Sequence, residues 1–240
     1  MKSNSCIDNK TAQKKLNCFN KSFRKYRQKL IHYYGSDTAE QIESRTLDEY
    51  KQLLPKTPKF PGKFSIYNSL IIKNVLFVAF YKAMKKFGKE IQETIRISYE
   101  IEEEMYRAVP AVLRWVVIKF VFSRLFLSYM KRCSANVGKH IEGWIIDYKK
   151  GDGNSSDWYF ECHECGMVKY FHTHDVMELA PYCNFIDYIQ SNVFGIGMRN
   201  PQNIGQGDSV CYEYMKKGRF TEVPENLLEI VNYDIKSCST

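Results

Sequence analysis

The chain is expected to be an α+β protein: an N-terminal helical bundle followed by a small, mostly antiparallel sheet with helices packed on it. Three observations predict this. Up to about Asn136, apolar residues recur at helical spacing between Gly and Pro stops. Beyond that point the chain changes to short aromatic and β-branched runs divided by polar turns. Hydrophobic residues make up 44% of the 240 positions, enough to build a core without disulfide support.

The elements follow in order. A basic amphipathic helix over about Thr11 to Tyr34 stops at Gly35, and Asp37 caps a second over Thr38 to Leu54, ended by Pro55. After the loop KTPKFPGK, a third helix covers Ser65 to Phe87 and halts at Gly88. A fourth, Lys89 to Arg107, carries the acids Glu100, Glu102, Glu103 and Glu104 and stops before Pro110. The run AVLRWVVIKFVFSRLFLSYMKR, 111 to 132, is expected as one mostly buried helix. Its wet stripe is Arg114, Arg124, Ser128, Lys131 and Arg132, and a helix lying in a membrane plane is the alternative.

GWIIDYK (143 to 149) and DWYFECH (157 to 163) flank KGDGNSS, whose Gly, Asp and Asn suit a hairpin connection. Helical spacing returns from Gly166 to Gln190 with a break near Pro181, and NVFGIGM (192 to 198) and SVCYEYMK (209 to 216) read as strands. No repeat is evident, and the tail after Gly218 carries no motif. The expected organisation is a basic N-terminal helix over 1–36, one α+β domain over 37–218 (helical over 37–136, sheet-bearing over 137–218), and a tail over 219–240.

Charge narrows the function classes. The net +8 belongs entirely to residues 1 to 30, which hold nine Lys or Arg against Asp8, while residues 31 to 240 hold 26 of each sign. A nucleic-acid binder spreads cations over its contact face, so no nucleic-acid partner is expected and the first helix reads as a solvated basic face, with a membrane-surface or acidic-partner contact as the alternative. No apolar run reaches membrane-spanning length, so no stable membrane insertion is expected. The polar start from Met1 to Lys15 has no secretory apolar region, which predicts a cytoplasmic protein with reduced thiols. Its eight cysteines then read as free, metal-bound or catalytic.

The chemistry-bearing stretch is WYFECHECGMVKYFHTH, 158 to 174. Cys162 and Cys165 have the spacing of half a zinc site, but His172 and His174 follow too closely to close a finger, so any metal would also need Cys183 or Cys211. As a nucleophile Cys165 is better placed, because Cys165-Gly166 falls where a strand turns into a helix and backbone N–H groups favour a thiolate. His163, His172 and Lys169 are nearby sources of base or charge. The plain alternative is that these cysteines only fill the core. In GIGMRNPQNIGQGDSVCYEY, Arg199 follows one strand, Gly205 and Gly207 form a turn, and Cys211 lies in the next strand: a hairpin loop over a pocket.

The run GDG…ECGMVKYF…PYCNFIDY…GIGMRNPQNIGQGDSVCYEY resembles the C-terminal half of the L-2-amino-thiazoline-4-carboxylic acid hydrolase family. Cys165 with Glu164, Cys183 with Asp187, and Cys211 after Gly207 match that family's three stations in order. FYKAMKKFGKEI (80 to 91) is similar too, giving coverage over roughly residues 40 to 217. Two departures stand out: Cys183 lies one residue further from Asp187 than in the family pattern, and Tyr212-Glu213-Tyr214 replace Asp-Phe-Arg or Asp-Phe-Lys after the last cysteine. The last part also resembles the four-vinyl-reductase-type small-ligand domain, which implies a non-catalytic ligand or zinc module as the rival reading.

The resemblance implies hydrolysis of a C–N or C–S bond in a small cyclic amidine or amide, such as a thiazoline carboxylate, within small-molecule metabolism. Cys165, Cys183 and Cys211 would converge on one pocket, with Asp187 and Glu164 as acid and base, and Arg199 and His163 binding substrate. Cys162 is expected to pack elsewhere on its strand. No particular cofactor is implied, and zinc on Cys165, Cys183 and Cys211 would suit the thiols. The partner expected is a small-molecule substrate.

Overall fold

A computed structural model describes residues 4–62 and 65–235. Its element order is α+β as expected, with helices preceding a four-stranded sheet. The chain divides into two compact units whose boundary is not the expected one. One consists of Phe60–Tyr67 with Glu102–Leu228 and carries the sheet; the other comprises Asn4–Lys59, Asn68–Ile101 and the chain from Glu229.

The all-helical unit begins with α1 (Asn9–Asn17) and α2 (Phe19–Tyr34), where one helix was expected. The break falls at Cys18, whose ψ of 0° interrupts the ladder. Asp8 caps α1 through the Thr11 amide at 2.8 Å. In α2 Phe19, Phe23, Tyr26 and Leu30 recur at helical spacing and are all buried. Phe23 stacks on Tyr26 at 5.1 Å, and the Tyr26 ring meets the edge of Phe80 at 4.8 Å. Phe80 belongs to α4 (Ile66–Lys86); α3 (Ser36–Leu53) and α5 (Ile91–Arg107) supply Ile42, Tyr50, Ile95 and Ile97 to the same core. The cations Lys10, Lys14, Lys15, Lys21 and Lys25 lie at the surface, as a solvated basic face requires, apart from partial cover of Lys25.

In the sheet-bearing unit the expected helix 111–132 is two helices, α6 (Ala111–Val121) and α7 (Arg124–Val137). Ser123 explains the break: its hydroxyl accepts the Phe126 amide at 3.2 Å and starts a new helix. The expectation of a mostly buried helix is also corrected, since α6 buries no residue and Arg114 turns inward to donate to the Val193 carbonyl at 3.4 Å.

The sheet is antiparallel in the order β1-β2-β4-β3, from β1 (Ile145–Lys150), β2 (Trp158–Glu164), β3 (Met198–Gln202) and β4 (Cys211–Met215). The hairpin between β1 and β2 is held by Asp152, which accepts the amides of Asn154 at 2.9 Å and Ser155 at 2.8 Å. Between β2 and β3 run α8 (Gly166–Thr173), a 3₁₀ turn over Met177–Tyr182 and α9 (Phe185–Phe194). The expected strand over 192–198 is therefore corrected. Val193 and Phe194 finish α9, Gly195 closes it in the left-handed conformation at φ 71°, and β3 begins at Met198. The expected tail contains α10 (Glu225–Asn232), whose Leu227 and Ile230 are fully buried.

The two-residue period of the strands sorts the sheet into faces. Ile146, Tyr148, Trp158, Cys162, Cys211, Glu213 and Met215 are buried on the inner face. The register sets Cys162 opposite Cys211 and Phe160 opposite Glu213. Helix α7 packs along β1 on this unit, and the Ser134 hydroxyl donates to the Ile146 carbonyl at 2.7 Å. Among the described residues no helix is long and apolar enough to cross a membrane.

Candidate functional site

The site is built where β2 ends and α8 begins. Cys165 occupies the N-cap position of α8 in an extended conformation, and Gly166 follows it without a side chain because Trp144 lies against that point. A Cβ on Gly166 would stand 2.6 Å from Trp144 Cε3, so the Cys-Gly pair is a steric requirement of this turn. The thiol of Cys165 is lowered to about 7, first by the Cys162 thiol as hydrogen-bond donor, then by the Val168 and Met167 amides and the Trp144 indole. The amides form no full capping hydrogen bond to the sulfur; they act as oriented dipoles at the start of the helix.

Cys162 is raised by the same contact, because its proton is the one being shared, and by burial. When Cys165 is neutral that proton has a second acceptor in the Glu164 carbonyl, 3.3 Å from the Cys162 sulfur. Cys162 is thus not packing elsewhere, as expected, but the immediate partner of Cys165. The two-residue spacing sets the Cys162 thiol as hydrogen-bond donor to Cys165.

Cys211 is the cross-strand neighbour of Cys162, and Cys183 joins from the segment before α9. Cys183 ends the 3₁₀ turn; burial raises it strongly, with Cys165 and Cys211 as the next causes, and its sulfur donates to Asn203 Oδ1 at 3.3 Å. Cys211 is pushed up to about 12 by burial and by the neighbouring Glu213. Asn203 Oδ1 also accepts the Gly205 amide at 2.8 Å, and a Cβ on Gly205 would fall 2.0 Å from the Ala180 carbonyl oxygen. The glycine-bearing turn over residues 203–207 therefore lies flat against the 3₁₀ turn and positions Cys183. It does not form an open lid.

Two carboxyl groups complete the cluster. Burial raises Glu213 well above the usual carboxylate range, and Asp187 and Cys165 add to the effect. Asp187, in the first turn of α9, is raised to about 6 by loss of hydration. Solvent nevertheless reaches its side chain. Its carboxyl is thus crowded by protein although the residue as a whole is exposed, and the crowding is what raises it. Cys165 and Cys183 are likewise half-buried rather than sealed. Phenols surround the group: the Tyr67 and Tyr148 hydroxyls are 3.1 Å apart, Tyr67 faces Cys162 and Cys165, and Tyr106 faces Asp187 while accepting Gln190 Nε2 at 2.5 Å.

Of the expected site residues, Cys165, Cys183, Cys211 and Asp187 are thus brought together. Glu164 is not: Lys169 Nζ binds its Oε2 at 2.5 Å and also donates to the carbonyls of Ile141 and Gly143, so this acid fastens α8 to the preceding loop. His163 points from the other face of β2, its Nε2 being 3.8 Å from Asp147 and 3.9 Å from Glu161. Arg199 is on that outer face as well, its guanidinium 5.5 Å from the Tyr214 ring centre. Parity along β2 and the register of β3 against β4 account for both placements.

Glu213 was the principal omission. It stands two residues after Cys211, on the same strand face, and the period-two pattern of CYEYM would have found it. The phenols and Trp144 come from distant elements and left no local signal. An open hollow of about 860 Å³ on the outer face, lined by Lys150, Asp152, Tyr159, Glu161, Tyr212 and Tyr214 among others, contains none of the thiols. Asp147, Glu161 and His163 have ligand atoms within 4.8 Å of one another there, with Glu161 already held by Lys149 at 2.6 Å. Chemistry that needs a nucleophile therefore belongs to the inner cluster. Compared with family models, curated proteins and solved structures, the chain has no match.

Proposed function

We propose that the chain is a cysteine-dependent hydrolase of a small cyclic amidine or amide, of the kind represented by L-2-amino-thiazoline-4-carboxylate. The observation that carries this reading is the pairing of a lowered thiol, Cys165, with two carboxyl groups raised by different amounts, Asp187 and Glu213. Near neutral pH that combination supplies a nucleophile, an ionised base at Asp187 and a protonated acid at Glu213.

The chemistry balances as follows. The Cys165 thiolate adds to the ring carbon between nitrogen and sulfur, and the adduct breaks its ring C–S bond. The departing sulfur takes the proton of the Glu213 carboxyl and is released as a thiol. Water, losing a proton to Asp187, then attacks the same carbon, Cys165 leaves as the thiolate, and the proton on Asp187 returns to Glu213, whose charge it neighbours. The product is an N-carbamoyl cysteine, and no oxidant or reductant is consumed. The Cys162 thiol donates to Cys165 whenever the latter carries charge, which favours both the starting thiolate and its departure.

The three cysteines would also suit zinc, with a water of lowered pKa as nucleophile in place of Cys165. One experiment separates the readings. Purified protein is analysed for metal and assayed against thiazoline carboxylates, cyclic amidines and small amides, with trapping of an acyl-type adduct on Cys165 by mass spectrometry. Turnover by metal-free protein with a Cys165 adduct supports nucleophilic catalysis. Stoichiometric zinc without turnover supports a binding module and ends the hydrolase reading.

A further inference from the structure

We propose that α6 and the start of α7 form a face that docks on an anionic phospholipid surface, lying in the plane of the interface. The first reason is the inverted polarity of α6. Its charged Arg114 turns toward the protein and bonds a carbonyl of α9, while Val112, Leu113, Trp115, Val116, Phe120 and Leu125 are exposed, Val112 and Leu125 at 73% and 75%. A helix whose partner is water alone has the opposite arrangement.

The second reason is charge. Between Glu104 and Glu142 the sequence contains no acidic residue. Across that stretch Lys119, Arg124, Lys131, Arg132 and Lys139 are exposed, while Arg107 is paired with Glu103 at 2.8 Å. An apolar strip rimmed by cations, on a segment with no acid of its own, matches an anionic headgroup layer over acyl chains. A second copy of the same face would bring cation against cation with no acid to offset them, so self-association is disfavoured.

The third reason is the anchor itself. Lys119 Nζ lies 3.9 Å from the centre of the exposed Trp115 ring, joining an interface-seeking indole to a cation that reaches headgroup phosphates. At 1.5 Å per residue α6 is about 16 Å long, too short to span a bilayer, which leaves the in-plane orientation.

Trp115 also provides the readout, because it is 57% exposed whereas Trp144 and Trp158 are 4% and 5% exposed. The full chain is mixed with phosphatidylcholine vesicles, with and without phosphatidylserine. Flotation and tryptophan emission are followed, together with quenching by brominated acyl chains. The expected result is a blue shift and bromine quenching on phosphatidylserine vesicles, with partitioning roughly tenfold weaker without the anionic lipid. Val116→Glu with Phe120→Glu should weaken partitioning at least roughly tenfold, and both sites are exposed, so the fold is retained by circular dichroism. Replacing Lys10, Lys14, Lys15 and Lys21 with Gln should leave the blue shift intact. Unchanged Trp emission on anionic vesicles overturns the proposal. So does undiminished binding by the double Glu variant, or a blue shift without lipid that accompanies dimerisation or capture by an acidic protein.

Discussion

On the outer face of the sheet His163 lies 3.8 Å from Asp147, and Arg199 covers the Tyr214 ring, all within reach of water. On the inner face, one residue along from His163 and one from Tyr214, Cys162 and Glu213 are buried among thiols and phenols. The two faces draw on the same short stretches of sequence. What separates them is hydration: charges on the outer face interact through water, where a pair contributes at most about 1 kcal/mol. Inside, the same separation from water makes one thiol donate to another and favours the protonated form of Glu213. A group becomes reactive there because its ionised form is costly or is held by a neighbour, not because reactive residue types are absent elsewhere.

The comparison breaks most directly at Cys165. Cys165→Ser should lower kcat/KM for the best substrate roughly 10³-fold, whereas His163→Ala and Arg199→Ala should change it by less than about threefold. Equal losses on the two faces would move the site outward. Glu213→Gln, which keeps the shape and hydrogen-bonding capacity but cannot transfer a proton, should cost roughly 10²-fold in kcat. Asp187→Asn should cost a similar factor and remove the acidic limb near pH 6 from the pH profile of kcat/KM, since its carboxyl is raised to about 6.

Much of this division was legible in particular residues. The change of texture after Asn136 announced the sheet, and the glycine after Cys165 announced a strand turning into a helix, which is where β2 gives way to α8. The resemblance points to Cys183, Cys211 and Asp187, and Cys183 feels the charges of both others. The same resemblance points to Glu164, which is instead paired with Lys169 from the first turn of α8. Strand parity puts His163 outside and Glu213 inside. Tyr67, Trp144 and Tyr148 could not be read, since their approach depends on long-range packing. Helix α6 departs from its expectation for a related reason: an apolar run predicts burial against something, and no residue of α6 is fully buried.

A sharper test of the dithiol uses no substrate. The rate of iodoacetamide labelling at Cys165 should rise with pH around a midpoint of about 7, followed by peptide mass spectrometry. Cys162→Ala removes the donor, which favours the protonated form, so the midpoint should move upward toward the ordinary thiol value of 9.0. No movement would mean that the α8 amides alone hold the thiolate. Packing around the same turn is tested by Gly166→Ala, whose Cβ meets Trp144 at 2.6 Å. Unfolding by denaturant should show a loss of about 1–3 kcal/mol, as is usual for an overpacked contact.

The smallest effects distinguish two aspartates by the sign of their pH dependence. Asp187 is raised by burial in the folded protein to about 6 from 3.8. Its favourable contribution is complete below the unfolded value and is lost as pH rises through the folded one, so at pH 7 the ionised carboxyl destabilises the fold. Asp187→Asn should therefore raise Tm at pH 7 and make little difference near pH 4. Asp152, at the exposed β1–β2 hairpin, is lowered to about 2 by the Ser155 hydroxyl and the Asn154 and Ser156 amides. Its contribution is present above 3.8 and disappears as pH falls through about 2, so Asp152→Asn should lower Tm at pH 7, with the deficit closing toward pH 2. Thermal scans across this range should show the two differences with opposite signs at neutral pH. Matching signs would mean that Asp187 is hydrated like the hairpin acid, and its assignment as the base would fall.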